Sequence, residues 1–142
     1  MPRIKFELPE SFVFSTELQI YIGHINYGDH LDNAQLLTLV SEARVRFLKS
    51  LGYTELDVAG SAIVVSDHLI QYRSEGFYGE TLQISMTPQD FNKYGFDLVY
   101  RIDCIEKPRE LARGKVGIVF VNKETKKVTS VPLEFLAKLN KK

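Results

Sequence analysis

The chain has 142 residues, 44% hydrophobic and 25% charged, the size and balance of one ordinary domain (1–142) with enough apolar material for a core. Lys plus Arg and Asp plus Glu each total 18, so no basic field favours nucleic acid and no acidic tail stands out. Cys104 is the lone cysteine, which excludes an internal disulfide and a cysteine-rich metal site.

No apolar run reaches membrane-spanning length, and the opening MPRIKFELPESF lacks the apolar centre of a secretory signal, so a cytoplasmic protein is expected. Residues 11–23 read as a strand, with Leu18, Ile20 and Ile22 alternating with Gln19 and Tyr21. A polar loop follows, dense in Asn26, Asp29, His30, Asp32 and Asn33. The chain then shows its one long helical period, over 33–51. Leu36, Leu39, Val40, Ala43, Phe47 and Leu51 share a face that Leu37 and Leu48 widen. Asp32 precedes the helix with Gln35 at capping-box spacing, and Gly52 is placed to stop it.

Beyond Gly60 the period changes to that of strands. They are expected at 62–73, 78–87, 93–106 and 111–122, with a short last strand at 128–131. Apolar residues on both parities of 62–73 predict at least partial burial of both faces there. Ser74-Glu75-Gly76 and Lys107-Pro108-Arg109 mark turns, and Pro132 opens a short helix over 133–139. Consecutive strands joined by short turns predict an antiparallel sheet of five or six strands. Its curvature lets it wrap round one long central helix, an α+β arrangement. A single helix leaves one face and the sheet edges without cover, which predicts a homodimer or tetramer.

The loop Asn26-Tyr27-Gly28-Asp29-His30-Leu31-Asp32-Asn33-Ala34 and the helix segment Glu42-Ala43-Arg44-Val45-Arg46-Phe47-Leu48 resemble the hotdog-fold acyl-CoA thioesterases of the 4-hydroxybenzoyl-CoA thioesterase branch. Gly79-Glu80-Thr81-Leu82 is similar to that branch's turn into its third strand. The resemblance implies a hotdog fold, sites between subunits, and hydrolysis of an acyl-CoA or acyl-carrier-protein thioester. It implies no separate cofactor, coenzyme A being part of the substrate.

The backbone N–H near Asn33 would then polarise the thioester carbonyl from the helix N-terminus. The family's loop aspartate falls on Asn26, which can orient water or bind the carbonyl but cannot act as a carboxylate. Its glycine falls on Asp29 and its first asparagine on Asp32. His30 is of a type that can move a proton at neutral pH. Asp32 and Asp29 are nearby substitutes for the missing carboxylate, with helix capping a competing task for Asp32. Glu42 lies roughly 15 Å along the helix from its start, where it serves a partner's site or an ion pair. Arg73, Lys93 and Arg101 are available for coenzyme A phosphates, whereas His24 and His68 show no ligand spacing with His30. The Asn26 replacement also keeps open a non-catalytic hotdog protein that binds an acyl thioester or a protein partner. A hotdog dehydratase is a third reading, although its His and carboxylate belong to a different motif.

Overall fold

The computed structural model describes residues 4–140. The elements are β1 (Phe14–Gln19), a 3-10 turn (Ile22–His24), α1 (Asn33–Ser50), β2 (Ala62–Tyr72), β3 (Thr81–Gln89), β4 (Gly95–Cys104), β5 (Arg109–Val121) and α2 (Leu133–Asn140). All strand pairings are antiparallel, in the order β1-β3-β4-β5-β2. The sheet thus has five strands, and β1 and β2 form its two edges.

Helix α1 starts where Asp32 accepts hydrogen bonds from Ala34 N and Gln35 N at 3.0 and 3.2 Å. The Asp32 backbone N–H goes to His24 O at 2.9 Å, so a backbone carbonyl takes the partnership expected of Gln35. At the other end Gly52 adopts φ +87°, Gly52 N reaches Lys49 O and Tyr53 N reaches Leu48 O, both at 2.9 Å. This is the paired closure that a glycine in the left-handed region permits. The helix buries Leu36, Leu39, Val40, Ala43, Phe47 and Leu48, the periodic face.

Opposite it lie Leu82, Ile84 and Met86 of β3, Leu98, Tyr100 and Ile102 of β4, and Val116, Ile118 and Phe120 of β5, all buried. Each large apolar side chain in this layer contributes about 1.5–3 kcal/mol by leaving water. Phe135 of α2 closes one end of the core, its ring centroid 5.3 Å from Phe96 and 5.5 Å from Phe120. The outer side of the sheet instead carries ion pairs: Lys115 with Asp97, Arg101 with Asp103, and Arg113 with Glu110.

Strand β2 is partly buried on both faces: Ala62 and Ile70 of one parity and Ile63, Leu69 and Gln71 of the other are buried or half-buried, while Val64 and Val65 in its middle are exposed. A bulge between Val65 and Asp67 bends it, and Gly117 of β5 leaves the room that the Asp67 carboxylate fills. One expectation needs correction, that of a last strand at 128–131, since these residues form none. They make one isolated bridge, Val121 to Val128, before Val131 N turns to Lys93 O.

Candidate active site

The polar loop is a tight reversal closed by the bridge from Ile25 to Leu31 and by Asn26 N donating to His30 O at 3.0 Å. Asn26 Oδ1 accepts from Gly28 N at 2.8 Å, an Asx turn that starts the reversal. Asp29 sits at φ +64°, a conformation that aspartate tolerates better than most residues and glycine better still. That backbone need explains why a glycine suits this position in the resembled motif.

His30 Nδ1 lies 3.1 Å from Leu31 O. A carbonyl can only accept, so Nδ1 is the donor, which directs Nε2 away from this bond and, in the neutral ring, makes it the acceptor. A Cβ built on Gly28 would lie 3.3 Å from His30 Nε2 and 3.3 Å from Asn26 Oδ1, so both side chains flank one point beside a residue with no side chain of its own. Oδ1 is engaged by Gly28 N, while the Asn26 amide N–H groups have no hydrogen-bond partner among the described residues; Asn26 itself is not among the residues that line the cleft of His30 and Asn33. At the helix start, Asp32 engages the amides of Ala34 and Gln35, while Asn33 N has no partner among the described residues. One donor is therefore left at the positive end of α1.

His30 and Asn33 line a cleft of about 290 Å³ together with Leu31, Leu36, Tyr72, Arg73, Ser74, Glu75 and Gly76. The wall from β2 and its following loop is tied to the polar loop by Leu31 N donating to Gly76 O at 2.8 Å. Tyr72 OH donates to Asn33 O at 3.3 Å. Burial, and then the Asp32 carboxylate, push the Tyr72 phenol above its ordinary range, so it remains a donor. Tyr72 and Glu75 were not legible as site residues. The sequence marked 74–76 only as a turn, and nothing in a local period shows which loop that turn will touch.

The remaining candidates separate. Asp32 is a cap, its side chain committed to the helix. Glu42 stands apart from the loop: it pairs with Arg46 on the same helix at 2.9 Å, and both line a second cleft of about 610 Å³ with Glu17, Tyr21 and His24. Arg46 continues to Thr16 and to Glu17 O in β1, so this pair laces helix to strand. Of the three basic residues considered for phosphates, Arg73 lines the smaller cleft. Arg101 is paired on the outer side of the sheet, and Lys93 lies near Gly95, at the far end of the strands from Arg73. Seven residues of β5 separate those ends, roughly 20 Å.

His68 Nε2 is 2.7 Å from Tyr100 OH, on the edge strand β2 and outside the linings of both clefts. Among the described residues no helix is long and apolar enough to cross a membrane, and no group of His, Cys, Asp and Glu gathers to hold a metal ion.

A curled five-stranded antiparallel sheet on one long helix, with a polar loop feeding that helix's N-terminus, is the hotdog arrangement. The sequence profile of the thioesterase-like superfamily matches residues 20–139, and the chain belongs to that family. A curated relative named "Putative esterase sll0410", from Synechocystis, is 25% identical over 132 residues, covering 89% of this chain and 80% of that protein. The fold is similar to that of Slr0204, a 1,4-dihydroxy-2-naphthoyl-CoA thioesterase from Synechocystis. The TM-score is 0.80 at 20% identity, covering 89% of this chain and 95% of that one. It is also similar to SAV2348 of Staphylococcus aureus, solved in complex with CoA, with a TM-score of 0.81 at 16% identity over 96% and 87% of the two chains.

Proposed function

We propose that this protein hydrolyses an acyl thioester carried by coenzyme A or by an acyl carrier protein, at the cleft beside the N-terminus of α1. Membership of the thioesterase-like superfamily supports the reaction class. The observation that carries the placement is that the cleft is lined by Asn33, whose N–H has no partner among the described residues, and by His30, whose Nε2 lies near the Asn26 side chain around Gly28. The Asn33 N–H and the helix dipole stabilise negative charge as it develops on the thioester oxygen. A donor of this kind typically contributes about 10²–10³ in rate. His30 and Asn26 hold the attacking water, one accepting from it and the other donating to it. Asn26 cannot form the acyl anhydride open to an aspartate, so water attacks the carbonyl directly.

Hydrolysis of a panel of acyl-CoA and acyl-carrier-protein substrates, followed by release of free thiol, tests this reading. Turnover well above background that falls at least tenfold in His30→Ala supports it, because His30 contributes little packing at the surface loop. Binding of acyl-CoA without turnover favours the non-catalytic alternative that Asn26 keeps open. If turnover occurs and His30→Ala and Asn26→Ala each change it by less than twofold, this loop is not the site.

The assembly we propose is a homodimer, or a tetramer built from it, with the exposed β2 edge as the contact. Val64 and Val65 are exposed there, as are Val45 of α1 and Leu56 of the connector to β2.

A further inference from the structure

Position 26 carries an amide rather than a carboxylate, Asp32 is committed to the helix cap, and Asp29 is not among the residues lining the cleft, yet the cleft has a carboxylate of its own. Glu75 is the one acidic side chain among the described residues lining the cleft of His30 and Asn33. Its carboxylate has no hydrogen-bond or ion-pair partner among the described residues, and the residue is exposed. The contrast with its neighbours is informative. Asp32 caps α1, Glu80 is bound by Arg109, and Glu110 is bound by Arg113. Other exposed carboxylates such as Asp29 are also unpaired among the described residues, but Glu75 is the one that lines this cleft, with its lone pairs available to a ligand or a water.

The backbone of Glu75 is fixed although its side chain is free. Arg109 Nη2 donates to Glu75 O at 2.6 Å. On one side Ser74 Oγ donates to Glu110 O at 2.7 Å, and on the other Gly76 O accepts from Leu31 N at 2.8 Å. Leu31 is the residue whose carbonyl accepts the hydrogen bond from His30 Nδ1. Its N–H and its C=O therefore tie the Glu75 loop and the His30 ring to one peptide segment. Glu75 and His30 line the same cleft of about 290 Å³, room enough for several waters beside both residues.

We propose that Glu75 is the general base of this site, supplying the carboxylate that Asn26 cannot. The proposal rests on the thioesterase reading above. Glu75 takes one proton from a water held by His30 while the water oxygen bonds to the thioester carbon. The carbonyl π pair moves onto its oxygen at the Asn33 N–H. Collapse of that adduct breaks the C–S bond, and the proton on Glu75 passes to the departing sulfur. The products are the carboxylic acid, which keeps the other water proton, and the free thiol, with Glu75 again ionised.

The test uses the full chain with acetyl-, octanoyl-, palmitoyl- and benzoyl-CoA and the corresponding acyl carrier proteins, following free thiol. Glu75→Gln should lower kcat by about 10²–10⁴, the usual contribution of a positioned acid–base group, with KM within about twofold. Glu75→Ala should regain turnover when sodium formate is added, whereas wild type should not respond. Formate rescue is the readout that a structural role would not give, and circular dichroism of both variants checks the fold. Wild-type turnover with Glu75→Gln within twofold of it overturns the base and leaves the thioesterase reading standing. A loss in Glu75→Gln that formate does not restore in Glu75→Ala also counts against a base. No wild-type turnover on any substrate of the panel overturns both.

Discussion

Arg109 grips Glu80 with two hydrogen bonds, Nη2 to Oε1 at 2.7 Å and Nη1 to Oε2 at 3.1 Å. The same guanidinium reaches Glu75 O and lies 5.9 Å from the centroid of the Phe77 ring. Glu80 Oε1 in turn accepts from Phe77 N at 2.8 Å. One cation at the start of β5 thus holds the loop between β2 and β3, which forms a wall of the cleft. A planar, five-donor guanidinium can make these contacts together, and an ammonium cannot.

The Glu80 contact makes stability depend on pH in a defined direction. Burial raises the Glu80 carboxyl, but hydrogen bonds from Arg109 and from Phe77 N, with the Arg109 charge, outweigh it and hold the group below its ordinary 4.5. A group depressed on folding contributes its full stability above its unfolded value and loses it as pH falls through the folded one. Glu80→Gln should therefore destabilise the protein by about 1–2 kcal/mol at pH 7, a discounted figure for a charged hydrogen bond near the surface. The gap between variant and wild type in thermal melts should close as pH is taken below 4.5. A gap that is constant from neutral to acid pH would show that the carboxylate charge is not what stabilises the loop.

The edge strand carries the next expectation. β2 spans 11 residues with one lateral face unpaired, and its exposed Val64 and Val65 lie beside the bulge at Asp67. Long apolar edges left open invite pairing with another chain. Multi-angle light scattering at micromolar concentration should give at least twice the chain mass, and Val64→Lys with Val65→Lys should shift it to monomer. A wild-type monomer under those conditions would remove β2 as an interface.

What the sequence disclosed follows from the range of the signal. Helix α1 was legible because Leu36 to Phe47 repeat a period that only a helix satisfies, with Asp32 and Gly52 marking its ends to within a residue. Strands β3, β4 and β5 were legible for the same local reason. The two apolar parities of β2 signalled its partial burial on both faces, but not its place at the edge of the sheet, because a sequence does not state where a strand sits in a sheet. Val128 to Val131 has strand-like residues, yet only a single bridge forms, between Val121 and Val128.

In the site, Asn26, His30, Asp32 and Asn33 were legible together because one contiguous loop holds them. Glu42 was drawn in by the motif, but ten residues of helix carry it to another cleft. Glu75 was missed because its relation to His30 exists only through the pairing of Leu31 with Gly76, a contact between distant parts of the chain.

Asn26→Asp is the substitution that most sharply divides the roles in the cleft. The Asn26 Oδ1 that accepts from Gly28 N at 2.8 Å has an equivalent oxygen in aspartate, so the Asx turn should survive the change. The amide nitrogen becomes a second carboxylate oxygen on a side chain whose Oδ1, like His30 Nε2, lies 3.3 Å from a Cβ built on Gly28. In the wild-type background turnover should rise, because a carboxylate at the loop provides a further base. In the Glu75→Gln background the gain should be larger, at least about tenfold, or 1.4 kcal/mol of barrier, since the new carboxylate then replaces a missing base rather than joining one. Equal gains in the two backgrounds would show that Asn26 and Glu75 act independently. No gain in either would mean that a carboxylate at this loop position does not reach the water.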